Sequence, residues 1–143
     1  MELSKFLPSS FTLFGLNSPP GGGGVDGTIR RAAGQRLLEG CKTVGGSKTG
    51  EAKITTVCNL PAKYVIHTVG PVWRWDTHNE NQLLASFYKN SLFLASENSL
   101  SSIAFPSSSS GSYGFPFEEA TRIALLTTHG FLKENQIALH YIE

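Results

Sequence analysis

Apolar and polar residues alternate along the chain in a way that predicts short strands separated by amphipathic helices. Two apolar runs, Ile54 to Val57 and Tyr64 to Val69, predict strands. The second run is nearly unbroken, which is typical of a strand buried on both faces. The runs Ser102 to Phe105 and Gln136 to Ile142 predict further strands, whereas Phe6-Leu7 and Phe11 to Phe14 could be short strands or pieces of the core.

Three segments carry apolar residues at helical spacing. The first runs from Ile29 to Cys41 and the second from about Asn79 to Asn98. The third follows Pro116, a residue that suits the first turn of a helix. The apolar stripe of the second segment is Leu84, Phe87, Tyr88, Leu92 and Ala95, and that of the third is Ala120, Ile123, Ala124 and Phe131. Strands that alternate with such helices predict a three-layer α/β domain, in which loops at the carboxyl ends of the strands carry the ligand.

Length and composition narrow the class of protein. A chain of 143 residues fits a single domain over residues 1–143. Its formal net charge of +1 argues against a nucleic-acid partner, and no apolar run approaches the roughly 20 residues that span a bilayer. The two cysteines, Cys41 and Cys58, cannot build a disulfide framework, and the N-terminus lacks the pattern of a secretory signal. We therefore expect a soluble, cytoplasmic domain.

A glycine run, Gly21 to Gly27, opens the first predicted helix and is a candidate phosphate loop, because amide groups without a nearby Cβ can converge on an anion. It satisfies G-x-G-x-x-G through Gly22, Gly24 and Gly27, but Ser18-Pro19-Pro20 replaces the strand that a dinucleotide fold requires. A flexible turn is the alternative. Asp26 would repel a phosphate, so it either faces a sugar hydroxyl or water, or caps the helix.

A second candidate loop follows the predicted strand Ser102 to Phe105. It consists mainly of small residues from Ser107 to Gly114, which allow close approach of an anion. Tyr113 and Phe115 could pack against a sugar or base, and a plain solvent-exposed loop is the alternative. A third segment, Gly45 to Gly50, lacks the G-x-x-x-x-G-K-[ST] spacing of a phosphate-binding Walker loop. The four histidines show no spacing typical of metal ligands.

Several segments, in order, resemble the macrodomain family, closest to its MacroD-type (O-acetyl-ADP-ribose deacetylase) branch. They are Gly21 to Gly34, Lys48 to Thr55, Leu60 to Trp73, Ser102 to Pro106 and Ser109 to Pro116. The resemblance implies an α/β/α sandwich on a mixed sheet that binds ADP-ribose. It also implies hydrolysis of ADP-ribosyl esters, which covers deacetylation of O-acetyl-ADP-ribose and removal of mono-ADP-ribose from acidic side chains of proteins, without a metal or organic cofactor.

The resemblance also assigns roles to residues. It implies that Asp26, with Asn17, orients or activates a water molecule at the ester. Gly22, Gly23 and Gly24, with the adjoining Val25, would line the distal ribose. The loop Ser109, Ser110, Gly111, Ser112 and Tyr113 would hold the diphosphate, with Tyr113 against the distal ribose.

The chain departs from the family pattern mainly in an atypical N-terminal segment, residues 1–20. Met1 to Ser10 contain no aspartate for adenine recognition, and Phe14-Gly15-Leu16-Asn17 replaces the family's N-A-A-N strand end. We therefore expect the N-terminal strand to be missing or remodelled. Either Phe11 to Leu16 substitutes for it, or the fold needs a partner chain. Arg30 replaces the family's histidine, and Ser110 and Ser112 differ from the usual residues of the diphosphate loop. A non-catalytic ADP-ribose reader and a degenerate chain without binding are the alternatives to a hydrolase.

Overall fold

The computed structural model describes residues 11–14, 31, 47–56, 62–105, 109–111, 113–135 and 140–142. Within these ranges the chain order is β1 (Phe11–Phe14), β2 (Ala52–Thr56), β3 (Ala62–Thr68), α1 (Glu80–Glu97), β4 (Ser102–Ala104), α2 (Phe117–Asn135) and β5 (His140–Ile142). Arg31 is also helical. The predicted α/β class is confirmed.

The described strands form two hydrogen-bonded sheets, one in the order β2-β3-β1 and one of β4 and β5, with β1 next to β4. β3 lies between β1, its parallel partner, and β2, its antiparallel partner. β4 pairs in parallel with β5, and β1 also lies beside β4. Phe11 to Phe14 therefore forms a strand that pairs with β3 and lies next to β4. Met1 to Ser10 lie outside the described residues.

β3 is buried on both faces, as its unbroken apolar run predicts. Consecutive residues from Val65 to Thr68 are all at most 4% exposed. Ile66 faces the main hydrophobic core, whereas Val65 and His67 point to the opposite face. The polar His67 is accommodated because its Nε2 lies 2.6 Å from the Oγ1 of Thr55 on β2.

The core forms where α1 packs against β2 and β3 and where α2 packs against α1. The predicted stripes of α1 and α2 are confirmed, since every residue in them is buried. A cluster of aromatic rings closes the interior, with Tyr88 and Phe105 at 4.9 Å and Phe87 and Tyr88 at 5.0 Å between centroids. None of the helices within the described ranges has the length and apolar character needed to cross a membrane.

Gly50 is a buried residue in a turn whose neighbours Thr49 and Glu51 are exposed. Gly50 has φ +83°, a left-handed conformation that favours glycine, and its N–H donates to the Val69 carbonyl at 2.9 Å. Its carbonyl accepts a 2.8 Å hydrogen bond from the Asn90 side chain of α1. A Cβ at this position would meet the Leu83 carbonyl oxygen at 3.2 Å. This glycine therefore ties the chain before β2 to α1.

The start of α1 is built around two carboxylates. Asn79 adopts a left-handed conformation, so the helix begins one residue later, at Glu80. Asp76 accepts hydrogen bonds from the backbone and side-chain nitrogens of Asn81, each at 3.0 Å. The buried carboxylate of Glu80 accepts the His78 N–H at 3.0 Å. Burial raises the pKa of Glu80, but the backbone hydrogen bonds from His78 and Glu80 itself, with the attraction of His78, outweigh it and leave the pKa below its ordinary value.

Two phenylalanines on α1 test how much the core contributes to stability. Phe87 is 1% exposed and Phe93 is 53% exposed. We expect Phe87→Ala to lower the free energy of unfolding by about 3–5 kcal/mol, because it leaves a cavity in the core. Phe93→Ala should change it by about 0.5 kcal/mol or less. Urea unfolding of both variants measures the difference, and equal losses would contradict the packing described for α1.

The lowered pKa of Glu80 predicts a pH dependence of stability. A folded-state pKa below the ordinary value of 4.5 means that the ionised carboxylate stabilises the fold. This stabilisation is fully present above the unfolded-state pKa and is lost as the pH falls through the folded-state pKa. We expect Glu80→Gln to unfold at lower urea concentration than the unsubstituted chain at pH 7, with the difference shrinking below about pH 4.5. Glu97→Gln, at the exposed end of the same helix, is the control, and a pH-independent deficit in Glu80→Gln would contradict the assignment.

Candidate functional site

The carboxyl ends of three strands meet at one edge of the fold. β1 and β3 are parallel, so Phe14 and Thr68 end at the same edge. The loop after β4 reaches this edge too, because Ser109 packs against Gly70, which follows β3. The strand order changes direction at β1, since β3 lies on one side of it and β4 on the other. Open α/β sheets bind ligands at such a position.

The loop from Ser109 to Gly114, here called the β4–α2 loop, is a tight turn closed by its own backbone. The Phe115 N–H donates to the Ser109 carbonyl at 2.9 Å, and the Gly114 N–H donates to the Gly111 carbonyl at 3.0 Å. Ser109 and Gly114 have φ angles of +66° and +68°. The left-handed conformation is easily adopted by glycine but costs a serine about 1–2 kcal/mol, so surrounding contacts must hold Ser109 in place.

Two contacts fasten this loop to the segment that leaves β3. The Trp73 N–H donates to the Tyr113 carbonyl at 2.9 Å. The Trp73 ring lies 4.6 Å from that of Phe115, centroid to centroid, at an interplanar angle of 52°. Phe115 is only 2% exposed. The interpretation that Phe115 packs against a sugar or base is therefore wrong, because its ring is an anchor in the core, whereas Tyr113 stays partly exposed.

Two hydroxyls at this edge are buried without a hydrogen-bond partner among the described residues. They are Ser109 Oγ in the loop and Thr68 Oγ1 at the end of β3. A buried polar atom without a partner costs about 1–3 kcal/mol, so such atoms usually have a structural or binding role.

The helix that follows the loop contributes little positive field to the site. Glu118 and Glu119 occupy the first turn of α2, where they balance the positive end of the helix dipole. Glu119 accepts hydrogen bonds from Arg122 at 2.6 and 3.2 Å, which lower the pKa of Glu119 and raise that of Arg122. An anion in this loop would therefore depend on the loop's own N–H groups rather than on the helix dipole.

The structure brings together only part of the predicted site. Ser109, Ser110, Gly111 and Tyr113 lie in the β4–α2 loop, against the segment from Gly70 to Trp73. Outside the described residues lie the predicted catalytic pair Asp26 and Asn17, together with Gly22, Gly23, Gly24, Val25 and Ser112. Their roles and the expected convergence of two loops remain predictions. No cluster of three His, Cys, Asp or Glu side chains suited to a metal ion occurs in the described part of the chain.

Sequence reasoning missed the contributions of Gly70 and Trp73. The available signal was a glycine directly after a strand buried on both faces, followed by Pro71. That pattern indicates the end of a strand, but the partner of Gly70 lies 39 positions further along, at Ser109. Only the folded chain shows that the two residues touch.

Comparison with known proteins identifies the family. The Macro domain model matches residues 16–124. The chain belongs to the Macro domain family.

This macrodomain is 54% identical over 121 residues to a protein of Escherichia fergusonii named O-acetyl-ADP-ribose deacetylase, covering 82% of this chain and 68% of that protein. It is 56% identical over 117 residues to a Xenopus laevis protein named ADP-ribose glycohydrolase MACROD2, covering 81% of this chain and 28% of that protein. It is also 56% identical over 121 residues to a Macro domain-containing protein of Methanosarcina mazei. That match covers 85% of this chain and 65% of the length of the Methanosarcina protein.

A solved structure supports the fold. The Trypanosoma brucei macrodomain in complex with ADP-ribose matches with a TM-score of 0.80 and 45% sequence identity, over 91% of this chain and 54% of that chain. The expected macrodomain fold is confirmed.

Proposed function

We propose that this macrodomain is a hydrolase of ADP-ribosyl esters. It deacetylates O-acetyl-ADP-ribose and removes mono-ADP-ribose from acidic side chains, so that ADP-ribosylated proteins are its macromolecular partners. The observation that carries the proposal is the β4–α2 loop, fixed at the carboxyl edge of β3 in a chain 54% identical to a protein named O-acetyl-ADP-ribose deacetylase. The structure of a relative with bound ADP-ribose adds support.

The binding half of the proposal rests on the β4–α2 loop. Ser109, Ser110, Gly111 and Ser112 supply small residues whose backbone N–H groups can approach the diphosphate closely. The Tyr113 carbonyl accepts the Trp73 N–H, which fixes the backbone at this position, and the Tyr113 side chain remains partly exposed. In this proposal its ring lies against the distal ribose. Because the loop is closed and anchored before any ligand arrives, little conformational entropy is lost on binding.

The chemical half of the proposal rests on Asp26 and Asn17. Asp26 accepts a proton from a water molecule that Asn17 helps to orient, and the water oxygen attacks the carbonyl carbon of the ester. The bond from that carbon to the ribose oxygen breaks, and the ribose oxygen takes up the proton as ADP-ribose and the free acid leave. Gly22, Gly23, Gly24 and Val25 line the distal ribose, so most of the acceleration comes from holding water and ester in place.

Replacing Asp26 separates chemistry from binding. We expect Asp26→Ala to lower the kcat for O-acetyl-ADP-ribose by about 100-fold or more, since a general base is removed. Affinity for ADP-ribose should stay within about threefold, because a carboxylate near a diphosphate adds no attraction. Calorimetry with ADP-ribose and an assay of acetate release measure the two effects.

The matched control is Asp76→Ala, which removes the chain's only other aspartate from the exposed turn before α1. It should leave turnover unchanged once folding is verified by circular dichroism. Native turnover by Asp26→Ala would overturn the role of Asp26. Binding of ADP-ribose without turnover by the unsubstituted chain would select the reader function, and absence of both would overturn the proposal.

A further inference from the structure

Gly70 sits where any side chain would collide with the Ser109 hydroxyl of the β4–α2 loop. A Cβ on Gly70 would stand 2.1 Å from Ser109 Oγ, 3.5 Å from Ser109 Cβ and 3.8 Å from Ser109 N. Non-bonded carbon atoms in proteins pack best at about 3.5–4.0 Å, so the distance to Oγ is a severe overlap, whereas the distances to Cβ and N are ordinary contacts. Ser109 Oγ is itself buried, which means that the hydroxyl fills the space that Gly70 leaves open.

Ser109 cannot simply move away. Its carbonyl accepts the Phe115 N–H at 2.9 Å, and Phe115 is buried against Trp73. The Tyr113 carbonyl accepts the Trp73 N–H, so the loop is fastened to the same short segment that carries Gly70. Because the backbone of Ser109 is held, an added methyl group at Gly70 forces the Ser109 hydroxyl to rotate out of its buried position.

We propose that Gly70 is a positioning residue for the ADP-ribose site, acting through Ser109. Its bare Cα leaves the space that the buried Ser109 hydroxyl fills, and the seated Ser109 side chain in turn holds the loop amides in position for the diphosphate. The inference rests on the proposed function, because it assigns Gly70 a role in ligand binding by the β4–α2 loop.

A double-mutant cycle tests the coupling directly. The four chains are the unsubstituted protein, Gly70→Ala, Ser109→Gly and the double variant Gly70→Ala/Ser109→Gly. We expect Gly70→Ala to weaken ADP-ribose binding by about tenfold or more when Ser109 is present, and by less than about twofold in the Ser109→Gly background, where no hydroxyl remains to collide. Isothermal titration calorimetry with ADP-ribose gives the affinities.

Recovery of ADP-ribose affinity in the double variant separates a positioning role of Gly70 from a general loss of structure. Gly130→Ala is the matched control, since it adds the same methyl group on α2 with nothing within 4 Å, and its affinity should equal that of the unsubstituted chain. Equal losses from Gly70→Ala in both backgrounds, or full affinity of the Gly70→Ala chain, would overturn the inference.

Thermal unfolding of the same four chains distinguishes a failure of the inference about Gly70 from a failure of the proposed function. Absence of ADP-ribose binding by the unsubstituted chain would overturn the proposed function. In that case Tm values still report on the contact: a drop in Gly70→Ala that disappears in the double variant supports the steric coupling of Gly70 to Ser109. Additive changes in Tm would overturn it.

Discussion

The burial of β3 is the constraint from which the other elements take their positions. This strand is paired on both edges, with β1 and β2, and its residues from Val65 to Thr68 are buried on both faces. Backbone groups in such a strand have no access to water, so they must be satisfied by neighbouring strands. The pairing therefore fixes where β1 and β3 end, and with them the edge at which Gly70 and Trp73 leave the sheet.

The β4–α2 loop shows how a short turn becomes rigid without regular secondary structure. Its carbonyls at Ser109 and Gly111 are used within the loop, its Tyr113 carbonyl is used by Trp73, and Phe115 is embedded in the core. These contacts hold Ser109 in the left-handed conformation. They also leave a loop that does not depend on the dipole of α2, whose first turn already carries two glutamates. A loop of this kind can present amide groups in a fixed arrangement, which is the physical requirement for recognising a diphosphate.

Much of the fold could be predicted from the sequence because the apolar stripes are regular. The spacing from Leu84 to Ala95 predicts α1 within one residue at each end, and only the left-handed conformation of Asn79 moves its start to Glu80. Strand ends were less predictable, since tertiary pairing rather than composition extends β2 back to Ala52 and β3 back to Ala62. Phe115 was misassigned because an aromatic residue beside a serine-rich loop has the same local pattern whether it faces a ligand or the core.

The site was harder to predict than the fold, since its geometry depends on contacts between residues far apart in sequence. Composition indicates that small residues from Ser109 to Ser112 permit close approach of an anion, but it carries no information about what lies beneath them. Gly70 and Trp73 follow a different strand, and they reach the loop because β3 and β4 flank β1 and end at a common edge. β1 also ends at this edge, at Phe14, and Asn17 and Asp26 follow 3 and 12 positions later in the sequence. A chemical role for those residues therefore requires no rearrangement of the sheet, only that the segment after β1 stay close to where the strand ends.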